Sequence, residues 1–139
     1  MKQWHNPSDT ELSRLLDTAK TIAVVGCSPK ADRTSHRITA FLIRQGYHVI
    51  PVHPMAKEIL GQTVYPRLAD IPVPVDIVNV FRRAEFTPPI AEAAVAIGAK
   101  ALWLQQGIIN EDCFRISSSS GQTCIMDLCI AVMHQRLHR

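Results

Sequence analysis

Apolar residues in this chain change their period in a regular alternation. Residues 22–25, Ile-Ala-Val-Val, form a short unbroken apolar run, and similar runs cover 48–52, 76–81 (Ile77, Val78, Val80), 101–104 and 123–126. Runs of this length, rich in β-branched residues and bounded by polar or glycine-containing segments, predict strands buried on both faces of a sheet. Between them, apolar positions recur every three or four residues. Ser8 and Glu11 have capping-box spacing ahead of Leu12, Leu15, Leu16 and Ala19, which predicts a first helix packed on as an N-terminal extension. Ile38, Phe41 and Leu42 predict a helix over 35–45 that stops at Gly46. Thr87 as N-cap and Pro88 at the first helical position open another, with Ile90, Ala93, Ala94 and Ile97 inward and Gly98 as its stop. Asn110 caps a helix over 111–119 that Gly121 ends, and Asp127 caps a last one carrying Ile130, Met133, His134 and Leu137. Residues 57–63 read as irregular around Gly61, and Pro66, Pro72 and Pro74 mark a loop region.

Strands that alternate with helices or irregular crossovers imply an α/β fold: a three-layer, Rossmann-like, doubly wound parallel sheet of five strands. The expected strand order is 3-2-1-4-5. With no linker or internal repeat, residues 1–139 read as one domain, of which 1–20 form the helical extension.

In such a sheet ligands bind beyond the carboxyl ends of the strands, where the order reverses. The first strand runs into Gly26, Cys27 and Ser28, then Lys30 and Arg33, and a helix opens near Thr34 and Ser35. That layout suits a phosphate held on the free N–H groups of a helix start. It is not the dinucleotide fingerprint G-x-G-x-x-G, because Ser28 and Ala31 stand where the later glycines belong. His53, Pro54 and Lys57 follow the second strand, Arg82 and Arg83 follow Phe81 on the third, and Gln105, Gln106 and Gly107 follow the fourth. Asp32, Glu58 and Glu85 lie nearby, each with a Lys or Arg close by in sequence. Cations after three strand ends favour a ligand with several phosphates.

The net charge of +3 does not change this picture, since the longest basic run is Arg82-Arg83 and nucleic-acid binders cluster their cations in runs or stripes. Residues 1–7 are polar and lack the apolar core of a secretory leader, and no stretch approaches the roughly 20 apolar residues of a membrane span. Cys27, Cys113, Cys124 and Cys129 form no C-x-x-C pair, so they read as free thiols of a cytoplasmic protein, with no metal site. Cys27 reads as a small loop residue that permits close backbone approach, His36 as a solvated or phosphate-facing group, and Trp103 as core with an N–H needing a partner.

An NAD site needs an acidic residue at the end of the second strand. Here Val52, His53 and Pro54 stand there instead, which better suits a ribose bearing an extra phosphate, as in NADP or coenzyme A. At this point the chain resembles the stand-alone CoA-binding domain proteins, relatives of the nucleotide-binding domain of the succinyl-CoA synthetase alpha subunit. The segments that carry the resemblance are IAVVGCSPKADRTSHRI, GYHVIPVHP, LADIPVPVDIVNVFRR, AIGAKALWLQQGIINE and MDLCIAVMHQRL. It implies coenzyme A or an acyl-CoA as ligand. The loop from Gly26 to Ser28 would lie under the pyrophosphate, with Arg33 and Ser35 on phosphate. Val52, His53, Pro54 and Lys57 would line the adenosine and its 3′-phosphate, Phe81 and Arg82 would close the opposite wall, and Trp103, Gln105 and Gly107 would border the pantetheine exit. Two positions depart from the family pattern: Leu128 stands where an Arg is usual, and His53 where a smaller or more polar residue is usual.

The synthetase relatives use a phosphorylatable His on a separate domain, for which 139 residues leave no room. The expectation is therefore a small-molecule nucleotide-binding module without catalysis of its own. An NADP-dependent oxidoreductase and a regulatory subunit of an acyl-CoA enzyme are the alternatives, and a homo-oligomer or an enzyme partner stays open.

Overall fold

Every position from Thr21 to Val25 is buried. A strand with no solvent-facing side belongs inside a sheet covered on both faces. In this computed structural model, which describes residues 3–138, that segment is β1. The other strands are β2 (His48–Val52), a small antiparallel hairpin of β3 (Glu58–Ile59) and β4 (Gln62–Thr63), β5 (Ile77–Val80), β6 (Ala101–Leu104) and β7 (Thr123–Ile125). The main sheet is parallel and runs β2-β1-β5-β6-β7.

Alternate residues of each strand serve opposite faces. Ile22, Val24, Val49, Ile77, Trp103 and Ile125 pack with Leu12 and Leu16 of α1 (Asp9–Thr18), Leu42 of α2 (Thr34–Arg44), and Ile130 and Met133 of α5 (Ile130–Leu137). Ala23, Val25, Val78, Val80, Leu102 and Leu104 face Ala91 and Ala94 of α3 (Thr87–Ala96) and Cys113 of α4 (Glu111–Ser119). The result is a three-layer α/β fold of the doubly wound, Rossmann-like kind. None of the helices described is long and apolar enough to cross a membrane.

Two expectations require correction. The strand over 76–81 was placed at an outer edge, yet β5 lies inside the sheet against β1. All four of its residues are buried, as suits a strand with a parallel neighbour on each side. The place beyond β2 belongs to Tyr65, whose N–H donates to the Pro51 carbonyl at 3.2 Å and whose carbonyl accepts from the His53 N–H at 3.1 Å. Counted with this bridge as a reduced third strand, the sheet keeps the 3-2-1-4-5 pattern and adds one strand beyond it. Pro51 explains the reduction: it has no N–H to offer on the side facing Tyr65, so the ladder there is a single bridge.

The second correction concerns Asp127. It does not cap α5, whose N-cap is Cys129. Asp127 takes a left-handed conformation with φ +60°, and its carboxylate accepts the Gly107 N–H at 2.7 Å. Asp tolerates that region because its short side chain can bond locally. The other predicted caps fall close to place. Ser8 and Asn110 accept from the amides of Glu11 and Cys113, while Thr87 is the first residue of α3 and Phe86 its cap.

Candidate functional site

The site begins at Gly26, directly after β1. Its φ is +84°, and a Cβ there would lie 2.5 Å from the Phe81 carbonyl oxygen. Only glycine satisfies both constraints, so the chain turns between β2 and β5 with its backbone against the end of β5. The Gly26 N–H donates to the Val52 carbonyl at 3.3 Å, and the Phe81 N–H donates to the Val25 carbonyl at 2.8 Å. These bonds hold the three strand ends in fixed relation.

The loop that follows is braced from within. Ser35 Oγ accepts the Ser28 N–H at 3.0 Å, and Ser28 Oγ accepts the Lys30 N–H at 3.1 Å. Arg37 donates from Nη1 to the Asp32 carbonyl at 2.7 Å and from Nη2 to Thr34 Oγ1 at 3.2 Å. The N-cap of α2 is Arg33, which supplies no side-chain cap. Among the described residues, nothing accepts from the first-turn amides of Thr34, Ser35 and His36. They retain the partial positive charge of a helix N-terminus.

Gly26, Ser28, Lys30, Arg33, Ser35, His53 and Phe81 line one open groove of about 590 Å³, together with Pro29 and Thr34. The groove joins the carboxyl ends of β1, β2 and β5, where the sheet's strand order reverses. Lys30 and Arg33 are exposed. His53 is half-buried, and its Nδ1 accepts the N–H groups of Met55 and Ala56 at 3.0 and 2.9 Å. In this pattern the ring carries its hydrogen on Nε2 and offers a single donor. Pro29 and Thr34 were missed because neither residue type signals anion binding; their position in the loop and first turn was the available clue.

Other expected site residues stand elsewhere. Cys27 is wholly buried, with Sγ 3.3 Å from Thr39 Oγ1, and burial pushes its thiol pKa up although Thr39 opposes the shift. Val52 points into the α3–α4 side of the core, while Pro54 and Lys57 are exposed and do not line the groove. Arg82 and Arg83 are exposed and do not line the groove; the Arg82 guanidinium lies 5.2 Å from the centre of the Phe86 ring. Trp103 and Gln105, expected at a pantetheine exit, are core residues. Trp103 is fully buried, and its Nε1–H donates to the Leu128 carbonyl at 2.8 Å. Gln105 is held by Asn79 through its amide nitrogen and by the Ile130 N–H through its oxygen. Both answer the rule that a buried polar group needs a partner. Gly107 gives its amide to Asp127 and does not line the groove.

Residues 20–135 match the CoA binding domain family. The chain belongs to that family. One similar family relative is the uncharacterized protein YneT of Bacillus subtilis (strain 168), 45% identical over 129 residues that span 93% of this chain and 96% of YneT. Among solved structures, a hypothetical protein from Pyrococcus horikoshii OT3 superposes with a TM-score of 0.93 at 30% identity, covering 100% of both chains. The apo form of a dinucleotide-forming acetyl-coenzyme A synthetase 1 from Ca. Korarchaeum cryptofilum matches at a TM-score of 0.70 and 24% identity, over 81% of this chain and 27% of that one. That last likeness is one of fold.

Proposed function

We propose that this protein is a binding module for coenzyme A or an acyl-CoA and carries out no reaction of its own. The observation that carries the reading is the groove at the ends of β1, β2 and β5, where Lys30, Arg33, His53 and the first-turn amides of α2 converge. The pyrophosphate would rest on those amides with Lys30 and Arg33 beside it. Gly26, which lines the groove, supports this fit by letting the loop turn tightly against the end of β5. His53 Nε2 would donate to the ribose phosphate, with exposed Lys57 supplying longer-range charge. Each charge-assisted contact contributes about 1.5–3 kcal/mol. In this reading residues 1–139 act as one cytoplasmic domain with α1 as its extension. A purely binding role is favoured because the nearest thiol, Cys27, is turned into the core and His53 Nδ1 is engaged by backbone amides.

Isothermal titration calorimetry with coenzyme A, acetyl-CoA and NADPH tests the proposal. Saturable binding of either CoA ligand, weakened at least tenfold by Arg33→Ala, is the expected result. No heat and no thermal shift at millimolar coenzyme A would overturn it, and preferential binding of NADPH would transfer the site to a nicotinamide cofactor.

A further inference from the structure

Arg82 leaves β5 one residue after groove-lining Phe81. Its side chain passes close to a groove residue: Cδ lies 3.2 Å from the place a Cβ on Gly26 would occupy, and Gly26 lines the groove. The guanidinium lies over Phe86, 5.2 Å from the ring centre, and Arg82 is not among the residues that line the groove. Phe86 ends the short 3₁₀ turn Ala84–Phe86 and is 49% exposed. Among the described residues, no carboxylate pairs with Arg82. A cation is thus anchored by its stem beside the proposed phosphate site and rests on an exposed aromatic face.

We propose that Arg82 is a swinging clamp for the ligand's phosphates and that Phe86 is its resting place, a positioning residue that sets how readily the clamp closes. The proposal rests on the phosphate-binding reading of the groove. In this proposal the two positions exclude each other: a guanidinium that reaches a phosphate over Gly26 leaves the Phe86 ring. At an exposed site a cation–π contact favours the resting position by a factor of about two to five. A charge-assisted bond to phosphate favours the closed position by roughly tenfold or more. The proposed exchange is a rotation about the terminal torsions of Arg82, whose Cδ already lies close to Gly26. An aromatic residue at 86 therefore holds the free protein open and is abandoned when a polyphosphate enters.

Calorimetric titration of coenzyme A into the parent, Phe86→Leu, Arg82→Gln and the double variant at low salt reads the coupling. Arg82→Gln is expected to weaken binding about tenfold. Phe86→Leu is expected to tighten it about two- to fivefold in the parent and to change nothing in the Arg82→Gln background. Phe86→Trp, which keeps the aromatic face, returns the affinity to the parent's. Weaker binding by Phe86→Leu, or an equal effect in both backgrounds, overturns the clamp and makes Phe86 an independent contact. Absence of binding in all four proteins indicts the coenzyme A reading instead, and the Arg82 Nε–Hε resonance then decides alone. Inorganic pyrophosphate should move that resonance from its ring-shifted position to the one seen in Phe86→Leu. A resonance that is identical in parent and Phe86→Leu, or unmoved by pyrophosphate, refutes the proposal.

Discussion

The Ser35 hydroxyl accepts the Ser28 N–H at 3.0 Å, across the mouth of the loop between β1 and α2. It fixes the loop against the first turn of its own helix, so the groove is shaped before any ligand arrives. Ser35 is nearly buried, and its own carbonyl accepts from Thr39 Oγ1 at 2.7 Å. One residue thus joins the loop to the helix interior. Ser35→Ala should cost about 1 kcal/mol of stability and leave the Ser28 amide without a partner. Coenzyme A affinity should fall further than stability does, because the loop that presents Lys30 and Arg33 loses its brace. Denaturant melts alongside calorimetry separate the two, and an unaltered affinity would show that the brace is dispensable for binding.

Two glycines allow a controlled comparison. Gly26 and Gly46 both have positive φ, +84° and +95°, but a Cβ on Gly46 meets nothing within 4 Å, whereas on Gly26 it meets the Phe81 carbonyl oxygen at 2.5 Å. Gly46→Ala should cost only the left-handed backbone penalty of about 1–2 kcal/mol. Gly26→Ala adds displacement of the end of β5, whose Phe81 N–H is bonded to Val25, and should cost well beyond about 2 kcal/mol. Urea melts of the two variants check this. Equal losses would mean that the strand ends yield easily.

Asp76 makes acid stability a local question. Its carboxylate accepts the N–H groups of Lys20 and Thr21 at 2.8 and 3.0 Å and lies 3.4 Å from Lys100 Nζ. Burial alone would push the carboxyl up, but the amides of Thr21 and Lys20 together with Lys100 outweigh it and hold the pKa below the usual carboxylate range. A group depressed in the folded state stabilises the protein above its unfolded pKa, about 3.9, and that contribution disappears as pH falls through the folded value. Asp76→Asn should therefore be less stable than the parent at pH 6. The gap should close as pH drops below the ordinary carboxylate range. A gap that stays constant from pH 6 to pH 3 would assign the loss to packing rather than charge.

The sequence displayed the strands and helices well because burial on two faces and on one face leaves different periods, as in 22–25 against Leu12, Leu15 and Leu16. Strand order was less legible. Pro51 carried the relevant signal, a missing donor on one side of β2, but which side it faces depends on register, and register is tertiary. The hairpin of β3 and β4 has two residues per strand, too few to show any period. Of the groove's lining, Lys30, Arg33 and His53 were legible because loops after parallel strands converge by topology alone. Trp103 and Gln105 follow the same rule of position yet lie in the core, because partners distant in sequence, Leu128, Asn79 and Ile130, satisfy their polar atoms there. Asp127 looked like a cap for the same reason in reverse: a carboxylate before an apolar helix resembles one until Gly107, 20 residues upstream, is found to donate its N–H to it.

Thiol chemistry provides a last test of how firmly the loop is set. Cys27 follows Gly26 in the position where a thiol near a helix start and two cations would ordinarily be activated. Here its side chain is sealed beneath α2, fully buried against Thr39, and its pKa is raised by burial. Cys113 is raised likewise by burial, and Cys124 is pushed up to about 12, by burial first and then by Cys113. Cys129, at the start of α5, is the one cysteine not fully buried. Iodoacetamide at pH 8 should therefore modify Cys129 first and leave the other three intact on the timescale set by opening of the fold, as read by peptide mass spectrometry. Cys27→Ala should label no differently from the parent and should bind coenzyme A within about twofold of it, since no thiolate takes part. Modification of Cys27 as fast as Cys129 would mean that the loop opens readily, and the pre-shaped groove would then have to be replaced by one that forms around its ligand.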